Sequence, residues 1–490
     1  MKAASVGFAF LALVTLGLVI VLTRSVGVYV AAASAFLGIL YVYSLGTNTN
    51  RRNNFVAKGG SPYVLLLVIV LPLTISIGLF LLGRLGTLFN ALIESVMIVG
   101  FSIAFFLAAF SIPLAIKQQG LEAKASVDSD YGPLVSILVP AYNEQDVISR
   151  TLESLVNLKY EKKEIIVIDD GSTDKTRAIA SWYKKFGVIV LSKPNGGKAS
   201  ALNYGLVFAK GEIIITVDSD SMISRNSIDE VVKAMADPQV IAVSGNIRVL
   251  NNKSHLARLQ ELEYVVGINT MRRALALYGA VMVVPGAFGA FRKYAIENTG
   301  CYDKDTLTED FDLTVKILKA YGSVGASSTA TAFTEVPISW KALFKQRMRW
   351  SIGNYQTMFK HEDAFTNQRY GFLQRIVFPL LLLSTVLPFA SFLVVGAGIY
   401  LALTGGSQVF LYLLALFFLV QLFVALLALS LDRGDYSLAW YSPLFVFGYK
   451  QFIDAISIAA LLRVVFGAKK EWGKIDRVGG LPVPERKVPN

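Results

Sequence analysis

The sequence has almost none of the side chains that carry thiolate or imidazole chemistry. A single cysteine, Cys301, excludes an intramolecular disulfide and any thiolate metal cluster. With only His255 and His361, histidine-based catalysis is improbable, and acid–base work falls to carboxylates. Charge is scarce too, at 17% of residues, and it crowds the stretch from roughly Lys117 to Arg375 while both ends are nearly bare. At 54% hydrophobic over 490 residues the chain is too apolar for a water-soluble protein, so the plan is a membrane segment, a water-soluble domain and a second membrane segment. A net charge of +12 then reads as cytoplasmic loops and lipid-headgroup contact rather than as nucleic-acid binding.

What is present bears this plan out in order. Apolar runs at about Val6–Leu22, Val26–Leu45, Tyr63–Leu82 and Ala91–Ile116 approach or exceed the length of about 20 residues that a helix needs to cross the hydrocarbon core. The first follows Lys2 as a signal peptide would, but it lacks a convincing cleavage site and another span follows at once, so it is read as retained. Arg51, Arg52 and Lys58 follow the second run, and only Arg24 and Arg84 mark the loops after the first and third, which puts the N-terminus and the central domain in the cytoplasm. Glu94, within the fourth run, sits near its end or faces another helix. The expected domains are 1–118, four transmembrane helices; 119–365, the soluble domain; and 366–490, the second membrane segment.

After a polar linker, Leu121–Gly132, the pattern changes to strand–helix alternation, which argues a parallel α/β sheet with right-handed crossovers. Leu134–Pro140, Glu164–Asp169, Val188–Leu191 and Ile213–Val217 read as strands; Gln145–Leu158, Asp174–Phe186 and Lys198–Ala209 read as helices. Chemistry collects at the strand ends, where ligands bind in such sheets. Asp169 and Asp170 follow the second strand, where Ser172 or Thr173 can cap the next helix. Gly196-Gly197 is a turn, and Lys198 opens a helix whose N-terminus favours phosphate. Asp218 and Asp220 close the fourth strand at an exposed tip: either a solvated turn, or carboxylates around a hard divalent cation that also holds a diphosphate. Gln346, Arg349 and Trp350, spaced i, i+3 and i+4, share one helix face. Arg349 can fork onto diphosphate oxygens and Trp350 can stack on a pyranose ring; alternatively Trp350 anchors at headgroup depth while Lys345 and Arg347 snorkel.

Asp169-Asp-Gly-Ser, Gly197-Lys198 with Ala201-Leu202-Asn203, Asp218-Ser-Asp220, Thr308-Glu-Asp310 and Gln346-Arg-Met-Arg-Trp350 form an ordered set that resembles the family-2 glycosyltransferases. Within them it is similar to the membrane-integrated processive branch, the cellulose, chitin and hyaluronan synthases and most closely the poly-N-acetylglucosamine synthases. The likeness covers about Leu134 to Lys360, including Pro285–Arg292 and Phe333–Pro337. Four spans before the domain is more than the usual number there. The resemblance implies a GT-A fold, a UDP-sugar donor and inverting displacement at the anomeric carbon. It further implies that Asp170, with Asp169, binds uracil; that Lys198 offsets diphosphate charge; that Asp218 and Asp220 face the donor and a Mg²⁺ or Mn²⁺ ion, Asp220 the firmer ligand; and that Asp310, beside Glu309, is the general base. Gln346 and Trp350 fall on the acceptor side and Arg349 on the donor side.

The expected activity is polymerisation of UDP-N-acetylglucosamine, or second UDP-glucose, into a β-linked polysaccharide passed through the protein's own spans at the plasma membrane. The alternatives are transfer of one sugar to a polyprenyl or other lipid acceptor, and a membrane scaffold or transporter with an inactive domain. Towards the C-terminus, runs at about Phe372–Leu403 and Val409–Leu431 read as two spans, which leaves Asp432–Asp435 cytoplasmic. Trp440–Phe466 carries Lys450, Asp454 and Arg463, and a crossing there would put the basic tail outside. It therefore reads as interfacial or re-entrant, with Lys450 and Asp454 paired at i, i+4. Trp472 and Arg477 resemble the synthases' gating loop, against the simpler reading of a basic, lipid-facing tail.

Overall fold

In the computed structural model, which describes residues 103, 106–108, 110–124, 131–403 and 408–467, β1 (Val135–Ala141) is buried along its whole length. An aliphatic strand of that kind suits the middle of a sheet covered on both faces. Around it lie β2 (Lys163–Asp169), β3 (Val188–Ser192), β4 (Ile213–Thr216), β5 (Ser221–Ile223), β6 (Ala242–Val249), β7 (Gly289–Arg292) and β8 (Val324–Thr334), in the order β3-β2-β1-β4-β7-β6-β8-β5. The first four strands in that order are parallel, with Val135 opposite both Lys163 and Ile213.

The expected parallel sheet is thus half of a mixed one. β7 runs antiparallel to both β4 and β6, β8 is parallel to β6, and β5 is antiparallel to β8. Strands and helices still alternate beyond β4, but there the strands no longer all run in one direction, so alternation alone does not give their pairing.

The helices of this unit are α1 (Ile148–Val156), α2 (Thr176–Trp182), α3 (Lys198–Phe208), α4 (Ser227–Ala234), α5 (His255–Glu263), α6 (Lys293–Asn298), α7 (Glu309–Tyr321) and α8 (Trp340–Lys360). α1 shows why they form: its buried residues Ile148, Thr151, Leu152 and Leu155 recur at i, i+3, i+4 and i+7 and make one core-facing stripe. The start of α2 departs from expectation. Ser172 Oγ accepts from the Asn143 amide at 3.0 Å, Thr173 hydrogen-bonds Asn143 Oδ1, and the carboxylate that receives the Thr176 amide is Asp174, at 2.9 Å. An Asp two residues upstream closes an Asx turn and makes a hydroxyl cap redundant.

The described chain divides into two units: one is built from Glu122–Tyr264 and Gly279–His361, the other from the described part of 1–121 with Val265–Tyr278 and Glu362–Leu462. In the second, residues 110–121 are helical, and Phe378–Leu403 and Gln408–Asp432 form long helices close to the two expected spans. Asp432 is buried and ion-paired with buried Arg273. Beside this pair the Gln119 amide donates to the Leu431 carbonyl at 2.8 Å.

Among the described residues, Leu373–Tyr400 and Tyr436–Val465 are long and apolar enough to cross a membrane. The latter is broken, however: Phe447 and Gly448 leave helical geometry, and the regular helix restarts at Lys450 and ends at Val465. Lys450 and Asp454 pair as their spacing predicts. The N-terminal runs up to residue 102, Glu94, Trp472 and Arg477 lie outside the described residues.

Candidate active site

The expected residues lie at the ends of β2, β3 and β4 and on the segments that enter β7 and α7. Asp169 ends β2, accepting from the Ser172 amide at 3.2 Å and the Ser192 hydroxyl at 3.1 Å. Asp170 next to it is buried and turned onto the 193–197 loop: Lys193 Nζ lies 2.6 Å from Oδ1, and the Gly197 amide donates to Oδ2 at 2.7 Å. The Gly196 amide donates to both oxygens, at 3.1 and 3.2 Å. Asp170 therefore shapes that loop from within. Lys193 was not legible as its partner, because the two are 23 residues apart and meet only when β2 and β3 pair.

Lys198 opens α3, and its ammonium sits 2.6 Å from Asp218 Oδ1 and 3.1 Å from Glu309 Oε1. Burial alone would lower its pKa, but Asp218, Glu309 and Asp310 together raise it, so the group is a permanent cation. Gly286 makes room for this arrangement: a Cβ there would lie 2.4 Å from Lys198 Nζ and 3.3 Å from Asp218 Oδ1. The Gly286 amide also donates to Asp310 Oδ2 at 3.1 Å, while the Phe311 amide donates to Oδ1 at 2.8 Å. Burial and the neighbouring Glu309 carboxylate push Asp310 above the ordinary carboxylate range, against Lys198 and the two amides. A carboxylate held at both oxygens with its basicity raised is suited to taking a proton.

Asp218 and Asp220 stand on the turn from β4 to β5, closed by the Ser221 amide on the Asp218 carbonyl at 3.0 Å. The tip is less exposed than expected: Asp218 is partly accessible, but Asp220 is buried, since β5 pairs with β8 and carries the turn back into the sheet. For a divalent cation the donor chemistry fits. Both are hard oxygen ligands, and the Lys198 ammonium on Asp218 already marks a point where positive charge is favoured. A second acidic group, Asp303, Asp305 and Asp312, has carboxylate oxygens within 4.8 Å of one another, but the Lys360 ammonium lies among them.

α8 carries the remaining expected residues. Gln346 is buried; Arg349 and Trp350 are partly exposed. Arg347 does not snorkel. It is buried, donates to Glu263 at 2.6 Å, and lies over the Trp350 ring at 4.3 Å, so one face of that indole is covered within this unit. Asn203, quoted in the sequence motif without a role, holds the backbone of Tyr302 through Tyr302 N–H at 2.9 Å and Tyr302 C=O at 2.8 Å. This fastens α3, with Lys198 at its start, to the segment leading into α7. Gly286, Lys193 and Glu263 are the residues the sequence did not single out individually.

Residues 136–300 match the family described as Glycosyl transferase family 2. A poly-beta-1,6-N-acetyl-D-glucosamine synthase of Staphylococcus aureus (strain MSSA476) is 33% identical over 253 residues, which is 51% of this chain and 61% of that protein. The chain thus spans less than two thirds of that relative's length. One of the same name from Staphylococcus epidermidis is 29% identical over 350 residues, covering 67% of this chain and 85% of the relative. Among solved structures, a mannosyltransferase from Pyrobaculum calidifontis in complex with GDP-Man and Mn²⁺ superposes with a TM-score of 0.52 at 22% identity, over 74% of this chain and all of that one. That likeness is one of fold, a GT-A-like mixed sheet. The chain carries a family-2 glycosyltransferase domain.

Proposed function

We propose that the chain, built on this family-2 glycosyltransferase domain, is a membrane-embedded inverting enzyme that polymerises a UDP-sugar into a β-linked polysaccharide and passes it through its own spans. The observation that carries the reading is the convergence of Lys198, Asp218, Glu309 and Asp310 at the end of β4. The names of its relatives make UDP-N-acetylglucosamine the first donor and UDP-glucose the second. Asp310 takes the proton of the acceptor hydroxyl as that oxygen attacks the anomeric carbon and UDP departs from the opposite face. Lys198 and Arg349 bind the diphosphate, with Lys198 exchanging a carboxylate partner for phosphate oxygens. Mg²⁺ or Mn²⁺ held by Asp220 and Asp218 would neutralise the charge that develops on the leaving diphosphate. Asp169 and Asp170 form the uracil end of the site, Asp170 by holding the 193–197 loop in place, and Gln346 and Trp350 seat the acceptor.

The proposed setting is the plasma membrane, with the catalytic domain cytoplasmic and domains at 1–118, 119–365 and 366–490. Trp472 and Arg477 are the proposed gating segment. One observation favours addition of a single sugar to a lipid acceptor instead: Arg347 already covers a face of Trp350 that a polymer end would stack on. Membranes containing the protein, incubated with radiolabelled UDP-N-acetylglucosamine or UDP-glucose and Mg²⁺ or Mn²⁺, separate the readings by product size. Long polymer is expected; a single labelled sugar on lipid would replace the polymerase reading, and no UDP release from either donor would refute both.

A further inference from the structure

We propose that Lys360, with Gln356 on the same stripe of α8 and His361 just past its end, is a positioning residue for Asp310: it fixes the rotation and depth of the first turn of α7 and thereby the place of the base. This rests on the reading of Asp310 as the base. Residues two apart on a helix point to nearly opposite sides. Asp310 reaches the Gly286 amide at 3.1 Å, whereas Asp312, fully buried, lies 2.9 Å from His361 Nε2 and 3.0 Å from Lys360 Nζ. Lys360 is no simple partner of Asp312. Its ammonium also lies 2.7 Å from Asp303 and 2.9 Å from Asp305, gathering the loop before α7 onto the end of α8. Lys316, one turn along α7 from Asp312, closes the group from the other side, 3.2 Å from Asp303 and 2.6 Å from the Cys301 carbonyl.

One turn earlier on α8, Gln356 Oε1 accepts from the Leu307 amide at 3.0 Å. One turn before that, Gly353 lies so close to Thr308 that a Cβ would meet its side chain at 2.6 Å. Positions 353, 356 and 360 are spaced i, i+3 and i+7, a single face, and His361 follows as the residue that ends the helix. They touch in turn Thr308, Leu307 and the Asp312 cluster, so the whole entry to α7 is seated on α8. A misplacement of about 1 Å at a reacting group can cost on the order of 10²-fold in rate. One end of α8 therefore sets the base, while the Gln346–Trp350 segment of the same helix belongs to the proposed acceptor and donor site.

Lys360→Met should lower kcat by about 10²-fold while UDP affinity changes less than about twofold, and Lys360→Arg, which can fork onto the same carboxylates, should regain most of the rate. Amide exchange at Leu307–Phe311 should speed up in Lys360→Met and not in Lys360→Arg, with β1 and β4 unchanged. This readout needs no turnover, so it decides the mechanical link even if the wild-type protein transfers sugar to no acceptor, an outcome that would count against the proposed function instead. Unaltered exchange in folded Lys360→Met, an unaltered kcat beside an active wild type, or equal losses of kcat and UDP affinity would each overturn the inference. Should Lys360→Met fail to fold, Gln356→Met gives the same test with an expected loss of about tenfold, and an unchanged rate and exchange there would overturn it too.

Discussion

At the scale of single residues the site is a contest between carboxylates and one ammonium. Three acidic groups raise Lys198, and the same crowding, with burial, raises Asp310. A base works only as the carboxylate, so transfer should fall as pH drops through the Asp310 pKa, and this acid limb should lie above the ordinary value of about 3.9. A raised carboxyl pKa also means that the folded protein binds the proton more tightly than the unfolded chain. Its contribution to stability is fully present below the unfolded pKa and is lost as pH rises through the folded one. Asp310→Asn removes that loss at neutral pH. We expect it to reduce transfer by about 10²- to 10⁴-fold and to leave UDP affinity nearly intact in calorimetry, while the amide it puts against one of the two backbone donors offsets any gain in stability. A fall in UDP affinity matching the fall in turnover would remove the base assignment. Asp312 has the opposite sign. It is buried, which would raise its pKa, yet His361 and Lys360 lower it, so its contribution is present above the unfolded pKa and is lost as pH falls through the folded one. The acidic motif was legible from residue order; the opposite fates of two carboxylates two positions apart were not, because they depend on which helix each side faces.

At the scale of elements the parallel half of the sheet was readable because strands buried on both faces leave unbroken aliphatic runs, as in Ile213–Thr216. β6, β7 and β8 were not, since their pairing follows neither chain order nor one direction, β7 running antiparallel and β8 parallel to β6, and β8 mixes polar with apolar positions. α8 was legible only in part. The spacing of Gln346, Arg349 and Trp350 placed them on one face, but Arg347 needed Glu263, 84 residues away, to become a buried partner rather than a snorkelling one. That pairing bears on processivity. If the exposed side of Trp350 seats the product's end, Trp350→Ala should shorten polymer several-fold while UDP release falls far less, because stacking acts on retention and not on the chemical step. Product of unaltered length by gel sizing would assign Trp350 to packing under Arg347.

At the scale of the whole molecule the membrane plan rests on where positive charge lies, and the C-terminal stretch tests it. Composition alone lets Tyr436–Val465 pass as a span. Its backbone argues otherwise: the break at Phe447 and Gly448 leaves a regular helix, Lys450–Val465, of about 24 Å, short of a hydrocarbon core of about 30 Å. The Lys450–Asp454 pair falls in the first turns of that helix, where a crossing would have to desolvate it. A third crossing would also carry the basic residues 469–477 outward, against the retention of Lys and Arg on the cytoplasmic side. The break and the short regular helix favour the expected interfacial or re-entrant element, and the proposal of six crossings with a cytoplasmic tail is what a labelling experiment tests. The lone cysteine makes the test clean. Cys301 has a positive φ of 61° that serine tolerates equally, so Cys301→Ser provides a thiol-free background for Asn490→Cys. An impermeant maleimide should label that thiol in opened membranes and leave it untouched in intact cells. Labelling from outside would mean that Lys450–Val465 crosses despite its length and its ion pair, and the orientation of the catalytic domain would then have to be argued again from the N-terminal loops.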